Sequence, residues 1–278
     1  MTPDAIARAF RAACMAELEA LKPGNVHRFS AGHGMEVAHF ERAAAAAAPC
    51  IAARGARVGA RIEAAVAASL KVTGLNTNLG ILLLCAPLAA AAEAAGALRA
   101  ELAAVLHGLD GDDAQAAFRA IAAANPGGLG RVDVHDVATP ARIGLVEAMA
   151  LAAGRDRIAR QYARGFEDVF ELGLPRLAAF AEAEPQARTE AVYLAYLSAF
   201  PDSHIARKFG TAVAEEVRSE AERVAGTVDL RAPAAMRHPP LLAFDLSLKE
   251  RGLNPGTSAD LTVATLFAAA LSSRPVDA

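Results

Sequence analysis

An all-α fold, a single compact domain of about a dozen helices, is what this 278-residue sequence predicts. Three observations predict it. Alanine fills 72 positions, about a quarter of the chain, and alanine is the strongest helix former. Aromatic residues are only 5% and Trp is absent, so the residue stock of a β-sandwich or barrel is missing. Apolar residues return every three or four positions almost throughout. The one alternating run, Val132–Val137, is short and isolated.

The elements follow in order. Thr2-Pro3-Asp4 is a capping signal, and Ile6, Phe10, Ala13 and Glu17 continue at helical spacing, which predicts a helix over Thr2–Leu21. Ala38–Ala53 is nearly polyalanine, with Pro49 as a break or a new first turn. Ala56–Val72 is periodic. Asn78–Ala95 is the apolar helix. Leu98–Leu109, Asp112–Ala124, Pro140–Ala153, Asp156–Leu172, Pro175–Ala183, Thr189–Phe200, His204–Ala225, Pro240–Arg251 and Ser258–Leu271 complete the set. No Pro/Ser/Gly-rich linker divides the chain, so one domain spanning 1–278, with a core over about 2–272, is expected.

Charge and cysteine use exclude several classes. The net charge is −3, which makes no electrostatic case for nucleic acid or an anionic membrane as partner. Three widely spaced cysteines without a C-x-x-C fit reduced thiols rather than a disulfide framework or zinc site. The uncharged run Leu79–Ala92 contains Pro87 and falls short of the roughly 20 residues a bilayer span needs. The N-terminus has an early acid and no apolar signal core. A cytoplasmic protein acting on small molecules is expected. Its oligomeric state is left open, a homodimer being one option.

Polar residues at the helix joints carry the chemistry. Leu21–His27 and Gly32–Met35 offer Lys22, one of only four lysines, with Asn25 and His33, as a candidate phosphate or nucleotide contact. Asn76-Thr77-Asn78 precedes the apolar helix; one of the three suffices as its cap, and free N–H groups at a buried helix start suit an anion. Glu63 lies among Ala, Val and Ile, where an unpaired carboxylate is costly, so a metal or an Arg partner is expected. Gly127 and Gly128 stand in a glycine-rich loop ahead of Asp133, His135 and Asp136, oxygen-rich chemistry that suits Mg²⁺. In Pro201–Gly210, Asp202 or Ser203 caps a helix that sets His204, Arg207 and Lys208 on one face. In Asn254–Leu261, Thr257 or Ser258 caps the last helix and Asp260 falls in its first turn. No Ser-His-Asp elbow, P-loop or dinucleotide fingerprint is visible.

The ordered set E-x-x-x-x-K-P-G-N from Glu17, G-x-N-T-N-x-G from Gly74, P-G-G-L-G from Pro126, P-D-S-H-I-x-R-K-x-G from Pro201 and N-P-G-T-S-A-D-L from Asn254 resembles the triphosphoribosyl-dephospho-CoA synthase family. Better-known members carry His-Lys where this chain has Asn78-Leu79. The resemblance implies an all-α, Mg²⁺-dependent transferase with ATP as substrate and 3′-dephospho-CoA as acceptor. Adenine leaves, and the product is the precursor of the prosthetic group of citrate lyase or malonate decarboxylase type enzymes.

On that reading Asp136 and Asp260, with Glu63, are the metal candidates, and Lys22, Arg207 and Lys208 meet phosphates. Asp202 or Asp136 takes the acceptor proton. His204 or Asn76 and Asn78 assist the leaving purine. Family-like transfer to another cofactor precursor is the nearest alternative. A helical metal-dependent phosphohydrolase built on His107 and His135-Asp136, and a non-catalytic nucleotide-binding protein, are the others.

Overall fold

The computed structural model describes residues 1–125 and 143–273. They form helices α1 (Pro3–Glu19), α2 (Val37–Ile51), α3 (Val58–Thr73), α4 (Leu79–Ala91), α5 (Leu98–His107), α6 (Gly111–Ala124), α7 (Leu145–Ala152), α8 (Arg157–Ala163), α9 (Leu174–Ala179), α10 (Pro185–Ala199), α11 (Ser203–Phe209), α12 (Thr211–Thr227), α13 (Ala234–Glu250) and α14 (Gly256–Ser272). A π-helical turn, Val169–Gly173, leads into α9. No strand occurs among the described residues, and the all-α expectation holds.

Several helical segments differ from the sequence expectation, and α13 begins at Ala234 rather than Pro240, with Pro239 and Pro240 inside it. Pro49 lies inside α2 rather than breaking it. The span expected as one helix from Asp156 breaks after Ala163, where Gly165 and Phe166 take positive φ. The span expected from His204 is two helices, parted at Gly210, whose φ of +93° no helix interior adopts.

Two helices organise the core. α4 buries nearly every residue from Leu79 to Ala91, and α14 buries most of its length. They pack on each other, with α1, α2, α3 and α5 around them. Each fully buried Leu or Phe there contributes roughly 1.5–3 kcal/mol. A second apolar cluster, centred on Leu194, Leu197, Val217, Leu241 and Leu248, joins α10, α12 and α13. Helices buried on all sides cannot hand their first N–H groups to bulk water, so polar side chains must meet them. No described helix is long and apolar enough to cross a membrane.

The loop between α1 and α2 is tied down by buried polar groups. Tyr193 donates to Pro23 O at 2.6 Å, and Gly24 N donates to Asp245 Oδ1 at 2.8 Å. Leu21 N donates to Glu190, which also accepts from Arg237 Nε at 2.7 Å and meets His238 Nε2 at 3.0 Å. Glu190 and Arg237 are almost wholly buried. Removing the cation from such a pair leaves an uncompensated charge. Arg237→Ala is therefore expected to cost about 3–5 kcal/mol in urea unfolding, well above an ordinary surface substitution.

Candidate active site

Four helix beginnings converge on one cavity of about 1210 Å³. They are those of α4, α8, α11 and α14. The loop carrying Asn25 and His33 forms another wall.

One carboxylate holds two of these helices together. Asp202 Oδ1 accepts from His204 N (2.9 Å) and Ile205 N (3.3 Å), capping α11. Its Oδ2 accepts from Ser258 N (2.8 Å) and Ser258 Oγ (2.9 Å), capping α14. Ser203 Oγ accepts from Arg157 N at 3.1 Å and lies 3.0 Å from Thr257 Oγ1, so α8 is bound into the same knot. Asp202 is fully buried, and burial raises its pKa against the pull of these donors. With both oxygens saturated and no exposure, it cannot meet an acceptor hydroxyl. The expected role of Asp202 as a base is thus replaced by a structural one, and Ser258 is its partner rather than a phosphate contact.

Asp260 lies one turn into α14 and lines the cavity. A Cβ on Gly80, in the first turn of α4, would overlap its Oδ2, so only glycine lets the carboxylate lie against that helix start. None of the described residues hydrogen-bonds the Asp260 carboxylate. Burial, then the charges of Asp202, Glu17 and Asp156, hold its pKa well above the usual carboxylate range. A carboxylate in that setting favours a proton or a cation.

The three residues ahead of α4 divide their work. Asn76 Oδ1 accepts from Leu79 N at 3.3 Å and is the cap. Asn78 Nδ2 donates to Ser69 Oγ at 3.1 Å and ties the turn to α3. Thr77 Oγ1 is buried, lines the cavity and has no partner among the described residues. It is therefore available to a ligand.

His204 lies over Gly256, whose added Cβ would come within 2.8 Å of His204 Nδ1. Its Nε2 is buried without a partner among the described residues. Burial, with Lys208, Arg207 and His33 nearby, pulls its pKa down to about 3. The ring is therefore neutral at physiological pH. It can hydrogen-bond a purine, but it cannot supply an imidazolium proton.

Other expected residues sit differently. Lys22 is fully buried and does not line the cavity. Its ammonium donates to Glu17 Oε1 (2.6 Å), Asn25 Oδ1 (3.1 Å) and Val26 O (2.5 Å), which uses all three protons and leaves none for a phosphate. Glu63 is away from the cavity, its two oxygens taken by Arg119 at 2.6 and 2.8 Å. The Arg partner expected for it is found, and a metal role is not supported. Asp136, Gly127 and Gly128 lie outside the described residues. Asn25, His33, Arg207 and Lys208 line the cavity with Asn76, Asn78 and Thr257. His107 does not line it.

Glu17, Arg155, Asp156, Arg157 and Arg160 also line the cavity and were missed as site residues. Arg157 grips Asp168 through Nε (2.6 Å) and NH2 (2.7 Å), and its guanidinium stacks 3.8 Å from the Phe200 centroid. Asp156 caps α8 through Ile158 N and Ala159 N and accepts from Arg207 at 3.1 Å. The cavity lining therefore carries both signs of charge: Asp260, Glu17 and Asp156 with Arg155, Arg160, Arg207 and Lys208. Cys14 and Cys85, buried beside Asp260, are pushed toward the inert thiol form.

The family described as ATP:dephospho-CoA triphosphoribosyl transferase matches residues 3–276. The chain belongs to this family. Its fold is also similar to the crystal structure of an Archaeoglobus fulgidus protein assigned as a triphosphoribosyl-dephospho-CoA synthase. That match has 27% sequence identity and a TM-score of 0.66, and covers 83% of this chain and 98% of the other. No curated protein matches the chain. Members of the triphosphoribosyl transferase family are transferases.

The Asp202 clamp makes a direct prediction. Asp202→Ala removes four hydrogen bonds from the interior and is expected to cost about 3 kcal/mol or more in urea unfolding. Asp202→Asn keeps one acceptor oxygen but turns an amide toward Ser258 or His204, and is expected to cost less.

Proposed function

We propose that this chain joins the triphosphoribosyl part of ATP to the ribose 2′-hydroxyl of 3′-dephospho-CoA, releasing adenine, in a Mg²⁺-dependent reaction. The product would be the precursor of the prosthetic group of citrate lyase or malonate decarboxylase type enzymes, made in the cytoplasm. Family membership over residues 3–276 supports the reaction class. The observation that carries the site assignment is the bare Asp260 carboxylate at the start of α4, beside the unpartnered Thr77 hydroxyl.

The donor set fits Mg²⁺. This ion takes one or two carboxylates and fills its remaining positions with water and substrate phosphate. Asp260 would hold it. When bound, Mg²⁺ neutralises phosphate charge and fixes the triphosphate.

The chain's own residues do the rest. In the transfer, a bond forms from the acceptor O2′ to C1 of the ATP ribose, and the bond from C1 to adenine N9 breaks. The acceptor hydroxyl loses its proton, and the departing adenine gains one. Positive charge grows at C1, as in glycoside hydrolysis. The α4 start, through its free N–H groups and Thr77 Oγ1, orients phosphate oxygens. His204, held neutral, hydrogen-bonds the purine rather than protonating it. Asn76, Asn78 and Thr257 shape the floor. With Asp202 saturated, Asp136 is the carboxylate assigned to the acceptor proton. Phe118, Ile121 and Met149 form an apolar wall that limits water around a donor prone to hydrolysis.

The test incubates the purified protein with Mg-ATP and dephospho-CoA and measures free adenine by chromatography. Adenine release dependent on all three components is expected; its absence would refute the reaction. Asp260→Asn is expected to lower turnover at least ~100-fold, the scale of losing a principal electrostatic group. Its melting temperature should not fall, because the substitution relieves repulsion from Glu17, Asp156 and Asp202. An active Asp260→Asn enzyme would remove Asp260 from the mechanism.

A further inference from the structure

Among the described residues, the cavity is lined by more cations than its internal ion pairs engage. Arg157 and Arg207 have carboxylate partners in Asp168 and Asp156. Arg155, Arg160 and Lys208 line the same cavity, and among the described residues no carboxylate pairs with any of them. Arg160 is the most demanding. Its Nε is buried and donates to nothing described. A buried guanidinium N–H without an acceptor costs free energy that an incoming anion would restore.

These three cations share one edge. Arg160 is one turn along α8 from Asp156, Arg155 immediately precedes Asp156, and Lys208 follows its partner Arg207. The Asp156–Arg207 bond thus pins α8 and α11 together, with the uncommitted cations beside it. Arg155 and Lys208 are exposed, which sets them at the mouth, whereas Thr77 and Asn78 are buried on the floor. Leu151, on α7 just before this edge, also lines the cavity and is 60% exposed.

We propose that this α7–α8 edge seats the acceptor, with Arg155, Arg160 and Lys208 gripping its diphosphate and Leu151 covering the arm beyond it. The assignment rests on the transferase reading and extends it. Dephospho-CoA carries its reacting 2′-hydroxyl, its diphosphate and its pantetheine arm in that order. With the ribose on the floor near Asp260, the diphosphate falls toward the mouth and the arm runs outward. The triphosphate of ATP arrives with a divalent cation and is drawn to Asp260. The acceptor's diphosphate needs no metal and is matched by direct cations, best by a forked guanidinium.

Initial rates of adenine release, with each substrate varied in turn, test this. Arg160→Ala is expected to raise the KM for dephospho-CoA about tenfold or more, the loss of one charge-assisted contact. The KM for ATP should stay within about twofold. Arg160→Lys should recover part of the loss, and Arg155→Ala should act in the same direction. Arg160→Ala should also narrow the preference for dephospho-CoA over adenosine, which lacks both diphosphate and arm. A rise confined to the KM for ATP, or an equal rise for both substrates, overturns the assignment.

If the wild type releases no adenine, the reaction itself is refuted. The subsite is then read by calorimetry with dephospho-CoA in the absence of ATP and metal. Weaker binding by both Arg160→Ala and Arg155→Ala supports it, and unchanged binding overturns it. Circular dichroism of each variant confirms that the helices are retained.

Discussion

A single buried carboxylate decides where this site is. Asp202 caps α11 with one oxygen and α14 with the other, and has no exposure to solvent. Everything that faces the cavity from those two helices, including His204, Thr257 and Asp260, takes its relative position from that double cap. Ser203 and Thr257 carry the same bond pattern to α8, which brings Asp156 and Arg160 to the rim. The arrangement is stable because four donors at a buried carboxylate offset much of its desolvation. It also explains why Asp202 is unavailable for chemistry while Asp260, two residues beyond Ser258, is bare.

The core makes the cavity necessary. α4 and α14 are apolar on nearly all sides and lie side by side. Their N–H ends must emerge somewhere polar, and both emerge at the cavity. Gly80 lets Asp260 lie against the α4 start, so an acid and a helix beginning share one point. The acid attracts a cation, the helix start attracts an anion, and a metal-chelated phosphate satisfies both. The lining also carries Arg155 and Arg160, which no acid among the described residues pairs with. Acids and cations around one hollow suit the proposed reaction between two phosphate-bearing molecules.

The helices and the polar joints were legible in the sequence; the pairings across the fold were not. Three polar residues before α4 exceeded what a cap needs, and the surplus is real: Asn76 caps, Asn78 reaches α3 and Thr77 is left to the cavity. Lys22 misled because its partner, Glu17, is five residues away. That spacing is not a helical neighbour, and it closes only because the chain leaves α1 after Glu19 and turns back. Asp202 read as a local cap, and its second helix lies 56 residues onward. Gly80 and Asp260 are 180 positions apart, and no local pattern links them. Glu63 was expected to need a partner, but its Arg119 is on another helix. Arg160 carried no signal at all, since an arginine on a short helix is ordinarily solvated; only the tertiary packing around α8 buries its Nε.

The claim on which the rest turns is that Asp260 holds the divalent cation that brings in the triphosphate. Crystals grown with Mn²⁺ and a non-reacting ATP analogue test it most directly, through the anomalous signal of the metal. The account predicts one peak within about 2 Å of an Asp260 oxygen, bridging to phosphate at the start of α4. A metal peak bound by other carboxylates, with Asp260 left uncoordinated beside an occupied nucleotide site, would contradict it.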